Sequence, residues 1–117
     1  MNCVEVFGIA GINRNGCTIA HMGVFAGYLQ PDPDNKYDSN AIKVMHKNGT
    51  LLGYIKAKDT ARVREMLGEA LNGHTFWGHI KYVVEHTDDC QYTGGQPGND
   101  GIRGFFVGYI CLTNNKI

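Results

Sequence analysis

The chain has 117 residues, 43 % hydrophobic and 19 % charged, and its 11 basic residues balance 11 acidic ones to a formal net charge of zero. A chain of that length buries roughly 65 % of its unfolded surface, enough for one core without staples and too little for a second, so one domain over 1–117 is expected. Zero net charge excludes a broad duplex-coating surface, and with no run of about 18 apolar residues and no basic leader the expectation is a cytoplasmic protein with no membrane partner.

Residues 4–9 predict a first strand, and the glycine- and asparagine-rich stretch 11–16 a turn. Residues 23–29 predict a second strand, after which Pro31 and Pro33 fix φ and remove two N–H donors, so the sheet is expected to break there. Asp32, Asp34, Asn35, Asp38, Ser39 and Asn40 can each turn a side-chain oxygen onto a nearby backbone N–H, which predicts a rigid loop built from Asx turns with Tyr37 standing in it. A third strand over 41–46, the Asn48-Gly49 hairpin signal and a fourth strand over 51–55 then make a meander. From Asp59, a plausible N-cap, the period changes: Val63, Met66, Leu67, Ala70 and Leu71 share one helix face, Arg62, Glu65 and Glu69 point away, and Asn72-Gly73 is the expected stop. A long strand over 75–86 places Phe76, Gly78 and Ile80 on one side and Trp77, His79 and Lys81 on the other. Residues 104–112 predict the last strand, and 88–103 a long mobile loop.

Chemistry-bearing clusters are few. Cys3, Cys17, Cys90 and Cys111 show no CxxC spacing, so free thiols are expected, with Cys111 in the core. His21, His46, His74, His79 and His86 fall in no metal-ligand spacing, and His79 and His86, seven apart, face opposite sides of their strand. Asp32, Asp34 and Asp38 lack the glycine and terminal glutamate of a calcium loop, since Tyr37 and Lys43 occupy those places. With no nucleophile elbow and no phosphate loop, neither catalytic nor metal residues are assigned and no cofactor is expected. One local basic patch remains, Lys43, Lys56, Lys58, Arg62 and Arg64, whose alternative is a solvated helix face with an Arg62 to Glu65 pair.

The order of Gly27-Tyr28-Leu29, the stretch from Pro31 to Val44, Asn48-Gly49 and Leu52-Gly53-Tyr54-Ile55 resembles the HIRAN domain, over about residues 6–71. The resemblance implies a mainly β, α+β fold with one or two helices, a small OB-like or SH3-like barrel of about six strands. It implies a non-catalytic module that binds single-stranded DNA at a free 3′ end, in a repair or replication-fork context. In that picture Tyr37 stacks on a base, Asp38 accepts a hydrogen bond from the terminal 3′-hydroxyl, and Asn35 offers its amide to the base edge or sugar. Lys43, Lys56 and Lys58 hold phosphates. The turn at 11–16 has no aromatic where the end-binding family member has tyrosines, so Asn13 and Arg14 stand there, with Arg14, Tyr54 or Trp77 left to close the other side of the base. The other function consistent with the barrel is a protein-interaction module, and a helicase or nuclease partner is expected under either.

Overall fold

A computed structural model describes residues 3–86 and 102–113. Six strands, β1 (Glu5–Ala10), β2 (Gly23–Pro31), β3 (Ile42–His46), β4 (Leu51–Ile55), β5 (Thr75–His86) and β6 (Ile102–Leu112), close into a barrel in the order β1-β4-β3-β2-β5-β6, every neighbouring pair antiparallel. One helix, α1 (Thr60–Leu67), lies between β4 and β5. The mainly β architecture, a closed barrel of six strands with one α-helix among the described residues, is the small barrel of about six strands that the resemblance implies.

Alternation along each strand fills the interior. Phe7, Ile9, Phe25, Leu29, Ile42, Val44, Ile55, Phe76, Ile80, Ile110 and Leu112 are all buried. Large residues meet glycines across the ladder: Phe25 stands opposite Gly78, and Phe76 opposite Gly27. A Cβ on Gly78 would lie 2.5 Å from the Tyr109 carbonyl oxygen and 2.7 Å from Phe25 Cε1, so this strand position has room only for glycine. The β3–β4 register slips between Val44 and Met45, leaving Leu52 unpaired as a bulge, and Leu52 and Gly53 are consecutively buried as a result. Val63, Met66 and Leu67 of α1 complete the core.

Several sequence expectations are corrected. The ladder continues through Gln30 and Pro31, paired with Lys43 and Ile42, and breaks only after Pro31; the proline sits at the strand end, where a missing donor is tolerated. The helix stops at Leu67 and not at 71, because Gly68 takes φ 52° and turns the chain out of the helix into a short 3-10 turn, Gly68–Ala70. Asp59 precedes the helix but makes no side-chain capping bond; a 3-10 turn, Ala57–Asp59, leads into it instead. Cys3 and Cys111 are not free thiols: they form a disulfide, with Cα atoms 5.5 Å apart, because β1 and β6 run side by side. Cys111 is buried as expected, whereas Cys17 is free and half-buried, its thiol pushed up by burial. The long loop expected over 88–103, and Cys90 within it, falls outside the described residues except that β6 already begins at Ile102. No helix among the described residues is long and apolar enough to cross a membrane.

Candidate functional site

The loop between β2 and β3 is held by its own side chains. Asn35 Oδ1 accepts from the backbone N–H of Tyr37 at 2.9 Å and of Asp38 at 3.1 Å, while Asn35 Nδ2 donates to Asp32 Oδ2 at 3.2 Å. Asp38 Oδ1 accepts from Asn40 N–H at 2.9 Å, and Asp32 N–H donates to the Ala41 carbonyl at 2.9 Å, which closes the loop's base. Two outside elements pin it further. Tyr54 Oη on β4 donates to Asp32 Oδ2 at 3.2 Å, and Arg64 Nη2 on α1 donates to the Asn40 carbonyl at 3.0 Å. Burial, followed by the Asp32 carboxylate, pushes the Tyr54 hydroxyl up, so it stays protonated as a donor at neutral pH. The Tyr37 side chain is left outside this network, the residue 89 % exposed, with Lys36 Nζ 5.9 Å from its ring centroid. The second carboxylate oxygen of Asp38 has no hydrogen bond among the described residues.

Beside the loop, Lys43 and Tyr54 face each other across β3 and β4, and Tyr54 also stands opposite Ala10 of β1. Lys56, two residues beyond Tyr54, points to the same outer side. Its chain lies across Gly8, where a Cβ would meet Lys56 Cε at 3.0 Å and Nζ at 3.1 Å. At Gly8 the first strand parts from β6, its last pairing there being Gly8 with Tyr109, and passes to β4 at Ile9 and Ile55. The divergence opens a cleft of about 560 Å³, lined by Arg14, Lys56, Phe105, Phe106 and Tyr109. Asn13 bridges its mouth: Asn13 Nδ2 donates to the Phe106 carbonyl at 2.9 Å and Oδ1 accepts from Phe106 N–H at 2.7 Å.

The predicted residues thus form one surface in two parts. Asn35, Tyr37 and Asp38 stand on the loop, Asn13, Arg14 and Lys56 at the cleft, and Lys43 with Tyr54 between them. Lys58 is exposed on the 3-10 turn after Lys56. Some roles are already taken: the Asn35 amide is engaged inside its loop, and the Asn13 amide on β6. The basic patch is smaller than the sequence predicts, because Arg62 pairs with Glu5 at 2.8 Å and with Glu65 at 3.6 Å, and Arg64 holds Asn40. Trp77 does not line the cleft. It lines a separate hollow of about 260 Å³ with His21, Phe25 and His46.

Three aromatics that line the cleft, Phe105, Phe106 and Tyr109, are not among the residues singled out from the sequence. They lie in the last strand and reach the cleft only through the β1–β6 register, for which no local signal exists.

No group of three or more His, Cys, Asp or Glu side chains among the described residues could hold a metal ion. His21 and His46 lie with ring centroids 5.0 Å apart, and each accepts a backbone N–H on Nδ1, from Thr18 at 2.9 Å and Asn48 at 3.1 Å. A neutral ring in that state carries its proton on Nε2, which makes both histidines donors and poor ligands.

Comparison with known proteins gives one family model, the HIRAN domain, matching residues 26–93. A solved structure, the crystal structure of the HIRAN domain of human HLTF, superposes with a TM-score of 0.49 at 20 % sequence identity, covering 92 % of this chain and 73 % of that one. Among curated proteins none matches.

Proposed function

Since this chain belongs to the HIRAN domain family, we propose that it is a non-catalytic module that binds single-stranded DNA and recognises the free 3′ end, in a repair or replication-fork context. The observation that carries this reading is the loop that holds Tyr37 out to solvent, 89 % exposed, while five side-chain and backbone bonds fix the backbone around it. An exposed aromatic on a rigid support loses little conformational freedom when a base stacks on it. Asp38 keeps one carboxylate oxygen for the terminal 3′-hydroxyl. An internal nucleotide has no such donor, and a 3′-phosphate would bring like charge against the carboxylate. Lys43, Lys56 and Lys58 supply ammonium groups for the adjoining phosphates, and Arg14 with Tyr109 and Phe105 forms the opposite wall.

Fluorescence anisotropy with short single strands labelled at the 5′ end tests this. Stacking on an aromatic is worth about 1–3 kcal/mol, so Tyr37→Ala should weaken binding about five- to 150-fold with an unchanged Tm. Strands ending in a 3′-phosphate should bind at least several-fold more weakly than 3′-hydroxyl strands; equal affinity would remove the role given to Asp38. Absence of binding to any single strand, or an affinity indifferent to salt, would overturn the module itself and favour a protein partner on this surface.

A further inference from the structure

Beyond the cleft, the outer face of β5 and β6 carries a second set of groups. Cross-strand register arranges it in rows. Gly8, Tyr109, His79 and Val24 stand side by side across β1, β6, β5 and β2, and Val107 stands opposite Lys81 in the adjoining row. Successive outward residues on one strand are about 6.8 Å apart. In the first row the Tyr109 and His79 rings lie 5.9 Å apart, tilted by 45°. Lys56, stretched over Gly8, brings its ammonium group to the Tyr109 end of that row. Arg14 and Val107 both line the cleft, at the edge of the second row, and Lys81 is exposed.

The chemistry of this face is one-sided. Around these rows its outward positions, from Val6 on β1 to Tyr28 on β2 and as far as Val83 along β5, carry no carboxylate; the next outward position on β5 is Glu85, which stands opposite Arg103. Aromatic rings in the middle, cations at the margins and exposed valines between them complement a polyanion whose units can stack. OB-type barrels that bind single strands cover about 4–16 nucleotides, so a track of several nucleotides is in keeping with a barrel of this size.

We propose that the outer face of β5 and β6, with Tyr109 and His79 flanked by Lys56, Arg14 and Lys81, carries the nucleotides that precede the terminal one, so the protein holds a length of single strand continuous with the end. The inference rests on the end-binding reading and extends it. The terminal unit sits between Tyr37 and the cleft. The next bases then lie on Tyr109 and His79, with their phosphates on Lys56 and Lys81.

A length series separates the two ideas. Anisotropy titrations with 5′-labelled 3′-hydroxyl strands of two, four and six nucleotides are made with the wild type, Lys81→Gln and Tyr109→Leu, each variant checked by thermal melting. The wild type should gain about tenfold in affinity between the dinucleotide and the hexanucleotide. Lys81→Gln should remove most of that gain and flatten the hexanucleotide's log K against log salt slope by about 0.7, the value of one single-strand phosphate, while the dinucleotide is unaffected. Tyr109→Leu, which also takes a wall from the end cleft, should weaken every length, the hexanucleotide most. A hexanucleotide that binds no better than a dinucleotide, or a gain and slope unchanged in Lys81→Gln, overturns the inference and leaves end binding intact. Failure of every length to bind overturns both, and self-association of the wild type that Val24→Asp abolishes would then assign the face to a second copy of the chain.

Discussion

Asn13, at the mouth of the cleft, clasps β6 where β1 parts from it. Its amide mimics a paired strand residue, giving and receiving one hydrogen bond at Phe106 where β1 has already left β6. In Asn13→Ala both bonds are lost. Each is worth about 0.5–1.5 kcal/mol net, and because the pair is exposed, water recovers part of it, so the expected loss is about 1–2 kcal/mol. At this size about 1 kcal/mol moves Tm by about 4 °C, which places the variant about 4–8 °C below the wild type. Asn13→Asp should lose more, since it keeps the acceptor for Phe106 N–H but sets a carboxylate against the Phe106 carbonyl. Differential scanning calorimetry gives the Tm, and amide hydrogen exchange at Phe106 reads the bond directly: protection in the wild type should fall in Asn13→Ala to the level of a solvent-exposed strand edge. Equal exchange at Phe106 in the two proteins, or an Asp variant as stable as the wild type, would refute the clasp.

Two further outcomes are expected from the packing and the titrating groups. Gly78→Ala sets a methyl 2.5 Å from the Tyr109 carbonyl oxygen and against Phe25, and since backbone cannot yield as a side-chain tip would, urea unfolding should show a loss at or above about 3 kcal/mol; a loss below about 1 kcal/mol would mean the ladder is looser than described. His46 is held below its usual value of 6.5, first by burial and then by the neighbouring His21, with Lys47 adding to the effect and the Asn48 bond opposing it, and burial lowers His74 as well. A depressed folded pKa means stability that is present above about 6.5 and lost as pH falls through the folded value, so Tm should drop between pH 7 and pH 5. His46→Asn retains an acceptor for Asn48 N–H and should make that drop shallower; an identical pH profile would remove His46 as a contributor.

The strands legible in the sequence are those bounded by strong local chemistry. The Asn48-Gly49 turn and the alternation of 75–86 give β4 and β5 their ends, and the Asx residues of the proline loop make the bonds their side chains predict. Helix α1 has its buried face as patterned, but its end is set by Gly68, which in sequence looks like one tolerated glycine inside an apolar period. The site divides similarly. The Tyr37 loop is local and readable, whereas the cleft depends on which strand lies beside β1, and nothing within residues 1–16 or 102–112 names its partner. For the same reason the Cys3–Cys111 bond has no spacing signal. Arg62 was ambiguous between phosphate and carboxylate until Glu5, distant in sequence, was brought beside it.

The pairing of β1 has a consequence for how the protein is made. Synthesis delivers β1 first and β6 last, yet β6 is the neighbour that covers most of its length, while β4 meets it at only two residue pairs. The meander β2–β3–β4 can form as soon as it emerges, since its contacts are close in sequence. The edge of β1 from Glu5 to Gly8, however, stays unpaired until residues 102–112 leave the ribosome, and closing a loop that spans almost the entire chain is the slow, non-local step. The nascent protein therefore passes through a stage in which its first strand is the segment most open to aggregation or to capture by a holding chaperone.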